Sequence, residues 1–129
     1  MLDGAKAVAT VATDDIETAR RFYSETLGLP QMPTGDDGGL GFVLADGSGV
    51  MVYERPNHRP PENTSIHFVV PDVRSTVAGL RSRGVEFEEY DMPGIKTEDG
   101  IATDPNGGAM AWFKDPAGNI LGLLEMPAA

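Results

Sequence analysis

A chain of 129 residues is one domain's worth and long enough to bury a real core. Its 40% hydrophobic and 23% charged content is that of an ordinary soluble globular protein, and no apolar stretch reaches the length of a membrane span. Twenty acidic against ten basic residues leave a net charge of −10, which repels nucleic acid and anionic membranes, while zero cysteines exclude disulfides, thiolate nucleophiles and Cys-ligated metals.

The first predicted element is a β-prone run from Lys6 to Thr13, followed by a helix in "DDIETARRFYSETLG". Asp14 is placed to cap it, with Glu17 three residues on completing a capping box, and Gly28 to take a left-handed exit. Ile16, Ala19, Phe22 and Leu27 fall near one face, so this helix should pack on a flat apolar surface. Strands are expected at Leu40–Asp46 and Gly49–Arg55. The proline-stiffened connector "NHRPPENT" comes next.

The same order of events then repeats. Thr64–Val70 reads as a strand and "PDVRSTVAGLRSRG" as a helix, capped by Asp72, ended by Gly84, with Val73, Val77 and Leu80 as its apolar stripe. Strands are expected at Val85–Tyr90, Ala109–Lys114 and Asn119–Met126. From helix-opening aspartate to terminal glycine runs Asp15 to Gly28 in one copy and Asp72 to Gly84 in the other; "YERP" closes the first and "LEMP" the second. The expected class is α+β: two βαβββ modules forming curved mixed sheets around a central cavity, with helices outside. Module 1 spans about 5–56, the linker 57–63 and module 2 about 64–127 of a single domain.

The paired units, the "DDIETARRFYSETLGL" helix and "WFKDPAGNILGLLE" together resemble the vicinal oxygen chelate superfamily of glyoxalases, bleomycin-resistance proteins and dioxygenases. "GVEFEEYDMPGIKTEDGIA" is similar to uncharacterised bacterial glyoxalase-related proteins. The resemblance implies a divalent metal held by one His or Glu from each of four strands. Counting seven residues back from Asp15 and Asp72 gives Val8 and Ser65; three past Asn119 stands Gly122, and matching Glu54 to Glu125 gives Met51. None of these four is a ligand for a hard cation, so the expectation is no metal and no cofactor.

The chain has two histidines. His58 lies in the connector, read as a solvated loop residue. His67 lies two beyond Ser65, so alternation turns both to one face, toward the expected cavity. Glu54 and Glu125 sit at an odd offset that turns them away unless a β-bulge intervenes. The expected ligand-binding residues are His67, Tyr53, Met51, Ser65, Trp112 and Leu124, with His67 the one catalytic candidate, as a general base. A filled core is the alternative for this face.

Tyr90 and Met92 begin a long connection placed to cover the cavity mouth, and Asp36, Asp37, Asp91, Glu98, Asp99 and Asp104 are placed to make that mouth negative. The start Met1-Leu2-Asp3-Gly4 lacks the basic and apolar regions of a signal peptide, and a cytoplasmic location is expected. The leading expectation is a metal-free protein binding a drug or metabolite, cationic or aromatic, with no nucleic-acid or membrane partner. The alternative is a glyoxalase-type lyase or isomerase using an unconventional metal site or His67 as base. A third is a dimer-forming or regulatory module without an open pocket. A homodimer follows from the resemblance, with intrachain and interchain module pairing both open.

Overall fold

The computed structural model describes residues 1–33 and 38–127, so Asp36 and Asp37 lie outside the described residues. The chain divides into two compact units, Met1–Pro60 and Pro61–Ala129.

In the first unit, β1 (Val8–Thr13), α1 (Ile16–Arg21), β2 (Leu40–Val43) and β3 (Gly49–Glu54) build a three-stranded sheet in the order β1-β3-β2. β1 runs parallel to β3 and β2 antiparallel to it. One face carries Val11, Leu40, Phe42, Val50 and Val52, all buried together with Ala19 and Tyr23 from the helical segment. The Tyr23 and Phe42 rings lie 5.8 Å apart. Burying side chains of this size contributes about 1.5–3 kcal/mol each, which is what holds so short a helix on the sheet.

Three expectations for this unit are corrected. The N-cap is Asp15, whose Oδ1 accepts from Thr18 N at 3.1 Å; Glu17 meets Arg20 and completes no capping box with Asp14. The bonds from Thr18 hold the Asp15 carboxyl below the usual carboxylate range. The α-helix ends at Arg21 and gives way to a π-helical turn, Phe22–Thr26, closed by Leu27 N donating to Phe22 O at 2.9 Å. Tyr23, four residues past Ala19, is the residue this segment buries most fully. The expected strand to Asp46 stops at Val43. Asp46 Oδ1 accepts from Ser48 N at 2.9 Å and Gly47 takes φ 86°, which turns the chain into β3. A fourth strand is reduced to one bridge, Gln31 with Phe42.

The second unit holds β4 (Thr64–Val69), α2 (Val73–Arg81), β5 (Asp91–Met92), β6 (Ile95–Lys96), β7 (Ile101–Thr103), β8 (Ala109–Lys114) and β9 (Ile120–Glu125). Its main sheet has the order β4-β9-β8-β7, with β4 parallel to β9; β5 and β6 form a separate hairpin. Ile66, Ala111, Phe113, Leu121 and Leu123 are buried, as are Val73, Val77 and Leu80 of α2. Asp72 caps α2 as expected, accepting from Ser75 N at 3.1 Å, and Gly84 at φ 91° follows its end.

The predicted strand Val85–Tyr90 does not form. Only Phe87 bridges to Phe113, and Glu88 N reaches Trp112 O at 2.8 Å. Tyr90 is drawn away instead: its N donates to Thr97 Oγ1 at 2.8 Å and its O accepts from Thr97 N at 2.9 Å. That contact starts the β5–β6 hairpin, which turns at Pro93-Gly94 with Gly94 at φ 86°.

The internal repeat has a physical counterpart. Glu54 Oε2 accepts from Ile16 N at 3.3 Å, and Glu125 Oε1 accepts from Val73 N at 2.9 Å. Each unit's closing-strand glutamate thus satisfies the first amide of its own helix, one of the four a helix leaves unpaired. This is where the odd offset from the ligand positions sends both carboxylates.

Candidate functional site

The four strand positions at which the resemblance implies metal ligands carry Val8, Met51, Ser65 and Gly122. None offers an imidazole or carboxylate, and among the described residues no three His, Asp or Glu side chains converge. These residues do not fit a divalent cation. The space beside Gly122 is taken by a neighbouring ring. A Cβ there would lie 2.5 Å from Cδ2 and 2.8 Å from Nε2 of His67, and 3.3 Å from Cδ1 of Trp112. A side chain there would first have to displace the exposed imidazole.

This crowding follows from register. His67 on β4 pairs with Gly122 on β9, and Gly122 pairs with Trp112 on β8, so the three form one row across the sheet. β4 reaches this register through an irregularity between Thr64 and Ile66, which leaves Ser65 as the unpaired, half-buried residue of a bulge. Both neighbouring rings lean over the glycine. Tyr90 packs edge-on against Trp112 with centroids 5.3 Å apart. Burial, and secondarily Glu88, push the Tyr90 phenol above its ordinary range, so it stays a neutral donor at physiological pH.

Beside this row lies a hollow of about 210 Å³. Ile95, Ala102, Met110, Trp112, Leu124 and Pro127 give it apolar walls, and Thr103, Asp104 and Glu125 give it polar ones. Met110 and Leu124 pair across β8 and β9 in the row next to Trp112 and Gly122. An adjoining hollow of about 270 Å³ shares Thr103, Asp104 and Glu125 and extends to Asp72 and Arg74. The first hollow is smaller than the ~300–1,000 Å³ of pockets that enclose drug-sized ligands. It suits a small molecule, or one end of a larger one.

Of the expected ligand residues, Trp112 (4% exposed) and Leu124 line this hollow, and His67, itself exposed, stands in the adjoining row. Ser65 is on the same strand as His67 but outside the hollow's lining. Met51 and Tyr53 belong to the first unit, on β3, where they are 49% and 43% exposed. His58 is half-buried in the connector. Of the acidic residues read as a rim, Asp104 lines the hollow. Asp99 meets Arg81, whose Nη2 donates to its backbone O at 2.9 Å. Asp91 and Glu98 are exposed.

Met110, Ile95 and Glu125 were not among the expected site residues. Met110 shares the parity of Trp112, so alternation along β8 signals it. Ile95 arrives through the β5–β6 hairpin, which has no periodic signal.

Comparison with known proteins agrees with this architecture. The profile of the Glyoxalase/Bleomycin resistance protein/Dioxygenase superfamily matches residues 7–123. Among solved structures, the chain is similar to a putative glyoxalase family protein from Bacillus anthracis, at 22% identity over 97% of this chain and 96% of that one, with a TM-score of 0.75. A glyoxalase/bleomycin resistance protein from Catenulispora acidiphila matches at 24% identity, covering 95% and 98%, with a TM-score of 0.72. A lactoylglutathione lyase from Agrobacterium tumefaciens matches at 17% identity, covering 97% and 96%, also with a TM-score of 0.72. At these identities the likeness is one of fold. A search of the curated proteins finds no match. With the α+β architecture and a match over nearly its whole length, the chain belongs to the glyoxalase/bleomycin resistance protein/dioxygenase superfamily.

Proposed function

We propose that this protein binds a small amphipathic organic cation, a drug or metabolite, without a metal ion, and that the hollow beside Trp112 receives it. The observation that carries the reading is an apolar wall of Trp112, Met110 and Leu124 with Asp104 at its edge, in a chain of net charge −10. Apolar walls supply affinity by shedding water; Asp104 and the overall negative charge select for positive charge. A homodimer and a cytoplasmic location belong to this reading. The exposed Val8, Met51 and Tyr53 of the first unit support the former, and for the latter no helix among the described residues is long and apolar enough to cross a membrane.

The enzymatic alternative needs a group that orients His67. No hydrogen bond to its ring is present among the described residues, so the binding reading is preferred.

Asp104→Asn separates the charge of that side chain from its role in the turn. The amide oxygen can still accept from Asn106 N, as Asp104 Oδ1 does at 2.8 Å, so the melting temperature should stay within about a degree or two of wild type. The lost charge should weaken an alkyltrimethylammonium probe by about fivefold and leave its neutral isostere unchanged, the effect of removing one charge of about 1 kcal/mol at a partly solvated site. Calorimetric titration measures both. A wild-type protein that binds neither cationic nor aromatic probes, by calorimetry and by thermal shift, refutes the proposal.

A further inference from the structure

The edge strand β7 also borders a hollow on the other side of the sheet. Ile101 and Thr103 pair with Ala111 and Ala109, so alternation turns them toward the face that carries the buried Phe113, opposite to Met110 and Trp112. On that face lies a hollow of about 490 Å³, lined by Arg74 of α2, Lys96 of β6, Glu98 and Asp99 of the turn that follows, and Ile101 and Thr103 of β7. The volume falls within the ~300–1,000 Å³ of pockets that enclose small molecules. Ile101, 7% exposed, is the apolar side chain of the lining, and Thr103 adds a hydroxyl.

The backbone that carries these charges is held in place. Glu98 N donates to Ile101 O at 2.8 Å, and Ile101 N donates to Glu98 O at 3.1 Å. Gly100 N donates to Glu89 Oε1, and Lys96 is in register with Asp91 across the hairpin. Arg81, the last residue of α2, engages Asp99, with Nη2 3.3 Å from its Oδ1. Asp99 is thereby balanced. Arg74, Lys96 and Glu98 are not: among the described residues none of these three side chains forms an ion pair or a hydrogen bond.

Two cations and one carboxylate therefore face a single hollow without closing on one another. A simple anion entering it meets Glu98, and a simple cation meets Arg74 and Lys96. A molecule that carries both signs can satisfy all three. We propose that this hollow on the α2 side of the sheet binds a small zwitterion of the α-amino-acid class, its carboxylates held by Arg74 and Lys96 and its ammonium by Glu98. The guanidinium of Arg74 matches a carboxylate with two parallel donors, and Lys96 adds a point charge. Two cations to one anion favour an acidic amino acid, which carries two carboxylates and one ammonium. The site is independent of the binding proposed above, since Trp112, Met110 and Leu124 take no part in it.

The test titrates the full chain with L-glutamate and with glutarate, which keeps both carboxylates and lacks the ammonium, followed by calorimetry and by amide chemical shifts. L-glutamate should bind saturably, with shifts centred on Glu98, Ile101 and Thr103, and glutarate should bind about fivefold more weakly. Arg74→Gln should weaken both ligands by about fivefold, and Glu98→Gln should weaken L-glutamate by about fivefold and remove its advantage over glutarate. Both side chains are exposed, so both variants should fold as the wild type does. Equal affinity of the wild type for the two ligands, an advantage of L-glutamate that persists in Glu98→Gln, or no saturable binding of L-glutamate at millimolar concentration would each overturn the proposal, and none of these results bears on the hollow beside Trp112.

Discussion

Asp115→Ala should destabilise the protein by about 3 kcal/mol, lowering its melting temperature by about 10 °C for a chain of this length. Asp115 organises the turn between β8 and β9 from a position only 5% exposed. Its Oδ1 accepts from Ala117 N at 3.0 Å and from Asn119 N at 2.8 Å, and its Oδ2 accepts from Asn119 Nδ2 at 2.9 Å. Asn119 is 1% exposed, so its two donors would be left in a place water barely reaches. The cost is that of stranding buried donors, larger than the net worth of the bonds themselves. Asp115→Asn tests the geometry. Its carbonyl can keep both backbone donors, but its amide then faces the Asn119 amide donor to donor, so an intermediate loss is expected. Equal losses for the two variants, read by urea or thermal unfolding, would contradict this account of the turn.

Trp112→Ala should be the most damaging substitution in the site. Removing a buried tryptophan costs about 3–5 kcal/mol through lost transfer energy and the cavity left behind, a large part of a typical total stability of about 5–15 kcal/mol. The same change opens the hollow's wall and takes away the ring that Tyr90 packs against. If the variant folds, its affinity for alkyltrimethylammonium ions should fall by about a hundredfold, and Trp112→Phe should recover most of both losses by restoring an aromatic body. Calorimetry is the suitable readout, because Trp112 is the only tryptophan and its emission disappears with it. Unaltered binding in a folded Trp112→Ala protein would move the ligand elsewhere.

The parts of the fold written in short, local rules were legible in the sequence. Asp72 with its apolar stripe gave α2, and the match of "YERP" to "LEMP" pointed to Glu54 and Glu125, which do the same work in each unit. The cap of α1 was misplaced by one residue because Asp14 and Asp15 are adjacent and both fit the pattern. The alternating Val85–Tyr90 run looked like a strand, but Thr97 takes both backbone groups of Tyr90, a pairing that no local pattern encodes. The two-residue strands of the β5–β6 hairpin are too short to show any period.

In the site the same division holds. Trp112 and Leu124 follow from alternation along their own strands, and Met110 follows by the same rule. Ile95 and Pro127 come from the hairpin and the chain's tail, so only the fold brings them in. The meeting of His67 with Gly122 depends on a pairing between β4 and β9, distant in sequence and set by a bulge at Ser65. Nothing in either strand alone reveals that one ring lies over the other's glycine.

The most direct measurement is a calorimetric titration of the full chain with hexyltrimethylammonium, run once after exhaustive chelation and once with added zinc or nickel. The proposed function predicts saturable binding with one dissociation constant under both conditions. Binding that appears only in the presence of the metal, or that fails in both, would contradict it.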